Sequence, residues 1–185
     1  MRPTTHRLGI PQRSEAAGLT LPELLVAVAV LGLLAALGLM NGGETLARQR
    51  VEAATRRLAL GLERGRAEAE RSGQPCGLSL GELGWEEPAA DGLVPCARAV
   101  MALSEGTSAA DAGAVELRHN LAEALRFSSN GLVLDGGTVV VSGRGTELRR
   151  CLVLALPLGI VRLGRYEGAA AGPPDSTACR PDPSL

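Results

Sequence analysis

Residues 24–40 read LLVAVAVLGLLAALGLM, with no charged or strongly polar side chain anywhere in the run. As a helix it spans about 25 Å at 1.5 Å per residue, and with the residues just before it reaches the lower edge of a bilayer span. Residues 1–18 ahead of it are polar, carry Arg2, Arg7 and Arg13, contain two Pro and read as a leader rather than structure. Arginine on the leading side, and none on the trailing side before Arg48, puts the amino terminus in the cytoplasm and the rest of the chain across the membrane.

Three readings compete for this segment. A signal peptide has a basic start and an apolar core, with Ala36-Leu37-Gly38 as a small-residue cleavage site. A plain anchor needs only the apolar run. Neither accounts for Glu23, an acid at the lip of the hydrophobic stretch, where a charge drawn into lipid costs a few kcal/mol. Gly18, then Leu19-Thr20-Leu21-Pro22-Glu23-Leu24-Leu25, then the apolar helix resembles the class III prepilin signature of type IV pilin-like proteins. The resemblance implies cleavage between Gly18 and Leu19 by a prepilin peptidase and N-methylation of Leu19, which stands where Phe is usual. It also implies that Glu23 pairs with the free amino group of a neighbouring subunit during assembly. A carboxylate in a low-dielectric setting strongly seeks an opposite charge. Pro22 falls in the first helical turn, where its missing N–H costs nothing.

Past the apolar run, Gly38 and Asn41-Gly42-Gly43 predict an interruption, since each helical Gly costs about 1 kcal/mol against Ala. Helix resumes at Glu44 with an apolar stripe of Leu46, Val51, Ala54, Leu58, Leu62 and Ala69, and Ser72-Gly73-Gln74-Pro75 stops it. Short β-like runs follow at 77–80, 98–103, 114–119, 124–128, 137–142, 150–156 and 160–163, with turn signals between them. Residues 81–96 and 104–113 read as loops, with Trp85 anchoring the first on the core. The expected class is α+β, a pilin fold: a long helix, membrane-spanning in its first half, packed on a small antiparallel sheet. The divisions are a cleaved leader (1–18), an assembly half-helix (19–43), an amphipathic half-helix (44–72), a β-rich head (73–166) and an extended tail (167–185).

Aromatics make up 2% of the chain, so the core is aliphatic and a staple is useful. Cys76, Cys96, Cys151 and Cys179 all follow the apolar run, on the exported side, and an even number there fits two disulfides with three connectivities open. Cys76 with Cys96 and Cys151 with Cys179 is preferred, because the second pair tethers the Pro-rich tail.

The carboxyl half is similar to the GspH/FimT type of pseudopilin. Leu125-Arg126-Phe127-Ser128-Ser129-Asn130-Gly131 matches a strand and Gly turn of that family, and 137–142, 151–156 and 159–162 match its closing strands. The function implied is a minor pseudopilin or minor pilin, a structural subunit of a type II secretion pseudopilus or type IV pilus, near its tip. Its partners would be other pilins through the amino-terminal helix, prepilin peptidase and the inner membrane, with the head periplasmic. No catalytic constellation, cofactor fingerprint or metal-ligand spacing is present: His119 stands alone on a strand, and Ser128 and Ser129 lack a nucleophile-elbow context. No enzymatic role, cofactor or metal is expected.

Charge is segregated, with three Arg and nine acids over 72–141 but five Arg and one Glu over 142–166. Arg144, Arg149, Arg150, Arg162 and Arg165 lie on the last expected hairpin and its approach, where they could gather to meet phosphates or a neighbour's acids. Some family members capture DNA for natural transformation through a Gly-Arg-x-Arg motif on this hairpin. Gly159-Ile160-Val161-Arg162 keeps its Gly and last Arg, with Ile in place of the first Arg. DNA uptake is therefore the alternative function, and subunit docking or a solvated face the simpler reading of these arginines.

Overall fold

A computed structural model describes residues 20–90, 92–103, 114–156 and 158–182, the side chains of 36–42 excepted. The leader, the Gly18–Leu19 junction and much of the expected 104–113 loop lie outside the described residues. The chain forms two compact units, Met1–Met40 and Asn41–Leu185.

Helix α1 is Leu21–Ser72. Glu23 complements the helix dipole in its first turn and Arg71 in its last. The expected interruption at Gly38 and Asn41-Gly42-Gly43 is not there, because those residues are helical. Glycine lowers helix propensity but keeps its N–H, so unlike proline it does not break the hydrogen-bond ladder. The helix ends where Gly73 takes a left-handed φ of 63°, the usual terminating conformation.

The strands are β1 (Cys76–Gly81), β2 (Gly84–Glu86), β3 (Met101–Ala102), β4 (Val115–His119), β5 (Leu125–Phe127), β6 (Gly137–Gly143), β7 (Arg150–Ala155), β8 (Ile160–Tyr166) and β9 (Cys179–Pro181). They form two antiparallel sheets, ordered β3-β2-β1-β5 and β4-β6-β7-β8-β9. Three details differ from expectation. Residues 98–103 divide into a 3-10 turn, Ala97–Ala99, and the two-residue β3. Trp85 lies on β2 inside the stretch read as a loop. The tail is not merely extended, since it supplies a 3-10 turn, Ser176–Ala178, and the edge strand β9.

The core of the head is the inner face of α1 against both sheets. Ala47, Val51, Ala54, Leu58, Leu62 and Ala69 are buried with Leu78, Trp85, Leu125, Phe127, Val139, Val141, Leu152 and Leu154. Each large aliphatic here contributes about 1.5–3 kcal/mol. Leu46, placed in the stripe from sequence, is 48% exposed, and Ala47 takes the position. The step from 46 to 51 is five residues, which turns the helix about 140° off its face, whereas 47 to 51 keeps the four-residue spacing.

A second, smaller core lies on the other side of the five-stranded sheet: Val140, Cys151, Val153, Tyr166 and Cys179. Two disulfides close the head, Cys76–Cys96 and Cys151–Cys179. The second joins β7 to β9 and holds the tail against this smaller core.

Candidate functional site

Two surfaces of the chain bear on function. The first is the opening stretch of α1. Leu21, Leu24, Leu25, Val26, Val28, Val30, Leu31, Leu33 and Leu34 are each 53–74% exposed. These positions fall on every side of a helix, so the segment is apolar all round and is not covered within its own unit. A helix of that kind belongs in lipid or among other helices. Glu23 is the one charge among the described residues of this stretch, exposed in the first turn. Among the described residues no helix is long and apolar enough to cross a membrane. Of the run expected to do so, the side chains are described only as far as Ala35.

The second surface carries the five arginines. β7 and β8 pair as a hairpin, but the pairing register divides the guanidiniums instead of gathering them. Paired residues in an antiparallel ladder point to the same face. Arg150 pairs with Arg165, and Leu152 with Leu163, on the side toward α1. Arg162 pairs with Val153 on the opposite side, and Arg144 stands exposed after β6. The five guanidiniums are therefore not gathered on one face of the hairpin.

Most of them are held by the protein itself. Arg150 is buried and bonds Glu52 of α1 at 2.9 Å and Asp182 of the tail. Burial works against its charge, but the hydrogen bonds it donates to Asp182 and Glu52 outweigh it and raise the pKa above the usual arginine value. Arg150 Nε has no partner among the described residues. This arginine thus ties helix, sheet and tail at one point.

On the opposite face, arginines strap the tail to the sheet. Arg149 donates to Gly168 O at 2.8 Å, and Arg118 donates to Gly172 O at 2.9 Å and to Ala169 O at 3.1 Å. Their guanidiniums lie 5.6 and 5.9 Å from the centroid of the buried Tyr166 ring, within cation–π range. Asn120 donates to Pro174 O at 3.0 Å, and the Tyr166 hydroxyl accepts from Asp175 N at 3.2 Å. Arg162 reaches Ser176 O at 3.4 Å. Apart from the Tyr166 hydroxyl, which accepts from a tail N–H, each is a charged or polar donor placed on a tail carbonyl.

Sequence reasoning missed Arg118, Asn120, Glu52 and Asp182. The partners just named lie from 32 to 98 residues away, where no local pattern reports them; the Arg150–Glu52 bond alone spans 98. The only signal in the sequence was Cys179, which marked the tail as fastened. Among the described residues no three His, Cys, Asp or Glu side chains gather to hold a metal ion. A groove of about 520 Å³ runs beside β4, lined by Glu82, Leu83, Glu116, Ser142 and Arg144.

Two family models match the chain. One, described as type II transport protein GspH, covers residues 54–157, more than half of the sequence. The other, the prokaryotic N-terminal methylation motif, covers residues 13–39 and so includes Gly18, Leu19 and Glu23. A search of curated proteins and of solved structures finds no match.

Proposed function

Given that the chain belongs to the GspH family of type II transport proteins and carries the prokaryotic N-terminal methylation motif, we propose that it works without catalysis, as a subunit held in a filament by its amino-terminal helix. It is a minor pseudopilin or minor pilin, anchored to the membrane through its amino-terminal signal. The observation that carries the reading is the pairing of that motif with a helix start that is apolar and exposed on all sides around a lone Glu23.

In this reading a prepilin peptidase cuts after Gly18 and the new amine of Leu19 is methylated. Before assembly the chain crosses the inner membrane once, amino terminus inward, and the disulfide-bonded head lies outside. During assembly the helix leaves lipid for a bundle of like helices, exchanging one apolar surrounding for another. That exchange provides little driving force from the hydrophobic effect itself, so specificity falls to packing and to charge. Glu23 then meets the amine of a neighbouring subunit in a low-dielectric surrounding, where an unpaired carboxylate costs most.

Mass spectrometry of the native protein should find methylated Leu19 as the first residue, and a chain starting after Gly38 would overturn the reading. Glu23→Ala is expected to leave cleavage intact and to impair incorporation into the filament. Duplex DNA capture has no assembled guanidinium surface behind it among the described residues.

A further inference from the structure

The turn between β7 and β8 carries Leu156, Leu158 and Ile160, which are 55%, 53% and 59% exposed. A second segment lies against it. Val133 is buried and bridges to Phe127, and a Cβ at Gly159 of the turn would overlap its side chain. This contact brings Leu132 and Leu134, 36% and 51% exposed, to the same end of the head. Gly136 adds a second contact, since a Cβ there would stand 3.0 Å from Leu156 Cγ. Five large aliphatic side chains thus lie exposed on these two adjoining segments, whereas Leu46, Leu60 and Leu83 are exposed singly elsewhere on the head. That end is where α1 finishes, because Glu70 of its last turns lies against Gly131.

The patch has the composition of a protein contact rather than an ion-binding surface. The charges at its rim, Arg126 and Asp135, satisfy one another through two bonds of 2.8 and 2.9 Å. Its size is on the order of a few hundred Å², the range in which exposed apolar surface marks an interaction site. That is short of the roughly 800 Å² per partner of a stand-alone interface. Such a surface holds a partner only when something else keeps that partner near, as a second tether does by raising the effective concentration to about the millimolar range. Packing of the amino-terminal helices in a filament is such a tether.

We infer that this aliphatic end is a head-to-head docking surface, occupied in the filament by an apolar, uncharged face on the head of the neighbouring pilin-like subunit. The inference rests on the filament reading above. The contact is heterologous, the finishing end of α1 in one head meeting a different face of the next, which is the arrangement that propagates along an open filament.

The test uses the full-length chain expressed with its assembly system. Leu158→Asp and, separately, Leu134→Asp place a charge in the patch from two different segments, at positions exposed enough to leave the fold intact. Both variants should be processed and form both disulfides, yet enter the filament about tenfold less than the wild type. A photo-crosslinking residue at position 158 should capture the head of another pilin-like chain, with a yield unchanged from low to high salt, as for an apolar contact. Unchanged incorporation of both variants, or crosslinks to lipid alone, would overturn the docking surface and leave the filament reading standing. A wild-type chain absent from any filament would overturn both.

Discussion

Gly61 and Gly43 both lie in α1, and the same substitution at each should move stability in opposite directions. In a helix interior, alanine is about 1 kcal/mol better than glycine. At Gly43 nothing lies within 4 Å of where the new methyl would sit, so Gly43→Ala should be neutral or stabilising by up to that amount. At Gly61 the methyl would overlap Trp85 Cδ1 and stand 2.5 Å from Nε1. The indole is 2% exposed and donates to Leu58 O at 2.9 Å, so it cannot simply swing into solvent. Overpacking costs about 1–3 kcal/mol, and a buried N–H that loses its acceptor costs about 1–3 kcal/mol more. With the gain in helix propensity subtracted, Gly61→Ala should lose about 1–5 kcal/mol, at about 2–4 °C in Tm per kcal/mol for a head of this size.

The assay is urea unfolding of residues 41–185, the second compact unit. Trp85 is the only tryptophan, so its emission reports helix–sheet docking alone. The variant's native emission should also shift, because the indole is displaced. Equal stability of the two alanine variants, with unshifted emission from Gly61→Ala, would refute the placement of the indole against the helix.

Replacing Cys151 and Cys179 together with serine should cost about 3.5 kcal/mol on loop-closure entropy for their separation of 28 residues. Limited proteolysis should then cut within 167–178, where the wild type resists. Arg150→Ala should destabilise by about 2–3 kcal/mol, below the usual range for a broken buried pair because Glu52 and Asp182 are 34% and 23% exposed; adding Glu52→Gln should recover part of it in a double-mutant cycle. Asp135 is held below the usual carboxylate range by the hydrogen bond from the Arg126 side chain, against an opposing effect of burial. A depressed folded pKa stabilises above the unfolded value of about 4 and loses that contribution as pH falls through the folded value. Urea titrations from neutral to acid pH should show that loss in the wild type and not in Asp135→Asn.

The parts of the fold legible from sequence are those written as short-range periodicity. The stripe 51-54-58-62-69 lies in the core, and the runs 137–142 and 150–156 match β6 and β7 to within a residue, whereas 160–163 stops three residues short of the end of β8. What escaped was short or tertiary. β2 and β9 are three residues each, and β9 ends in Pro181; pairing with β1 and β8 makes them strands, not propensity. The arginines misled for a related reason. Their closeness in sequence suggested a cluster, but alternation along β7 and β8 sends neighbours to opposite faces, and a one-residue difference in register decides which. The anchor was legible because its signal is compositional and asks nothing of tertiary structure.

The connectivity of the two disulfides has a consequence for how the head matures. Each bond joins cysteines that are adjacent in sequence order, the first with the second and the third with the fourth. A chain that emerges from its amino end offers an oxidant Cys76 and Cys96 as a pair before Cys151 has been made. Cys179 then follows Cys151 with no other free thiol left to compete. Oxidation in order of emergence therefore yields the native pairs directly, with no mispaired species to unscramble and no demand on an isomerase. Denatured, fully reduced head loses that ordering, so its oxidative refolding should pass through the two alternative pairings that vectorial synthesis avoids.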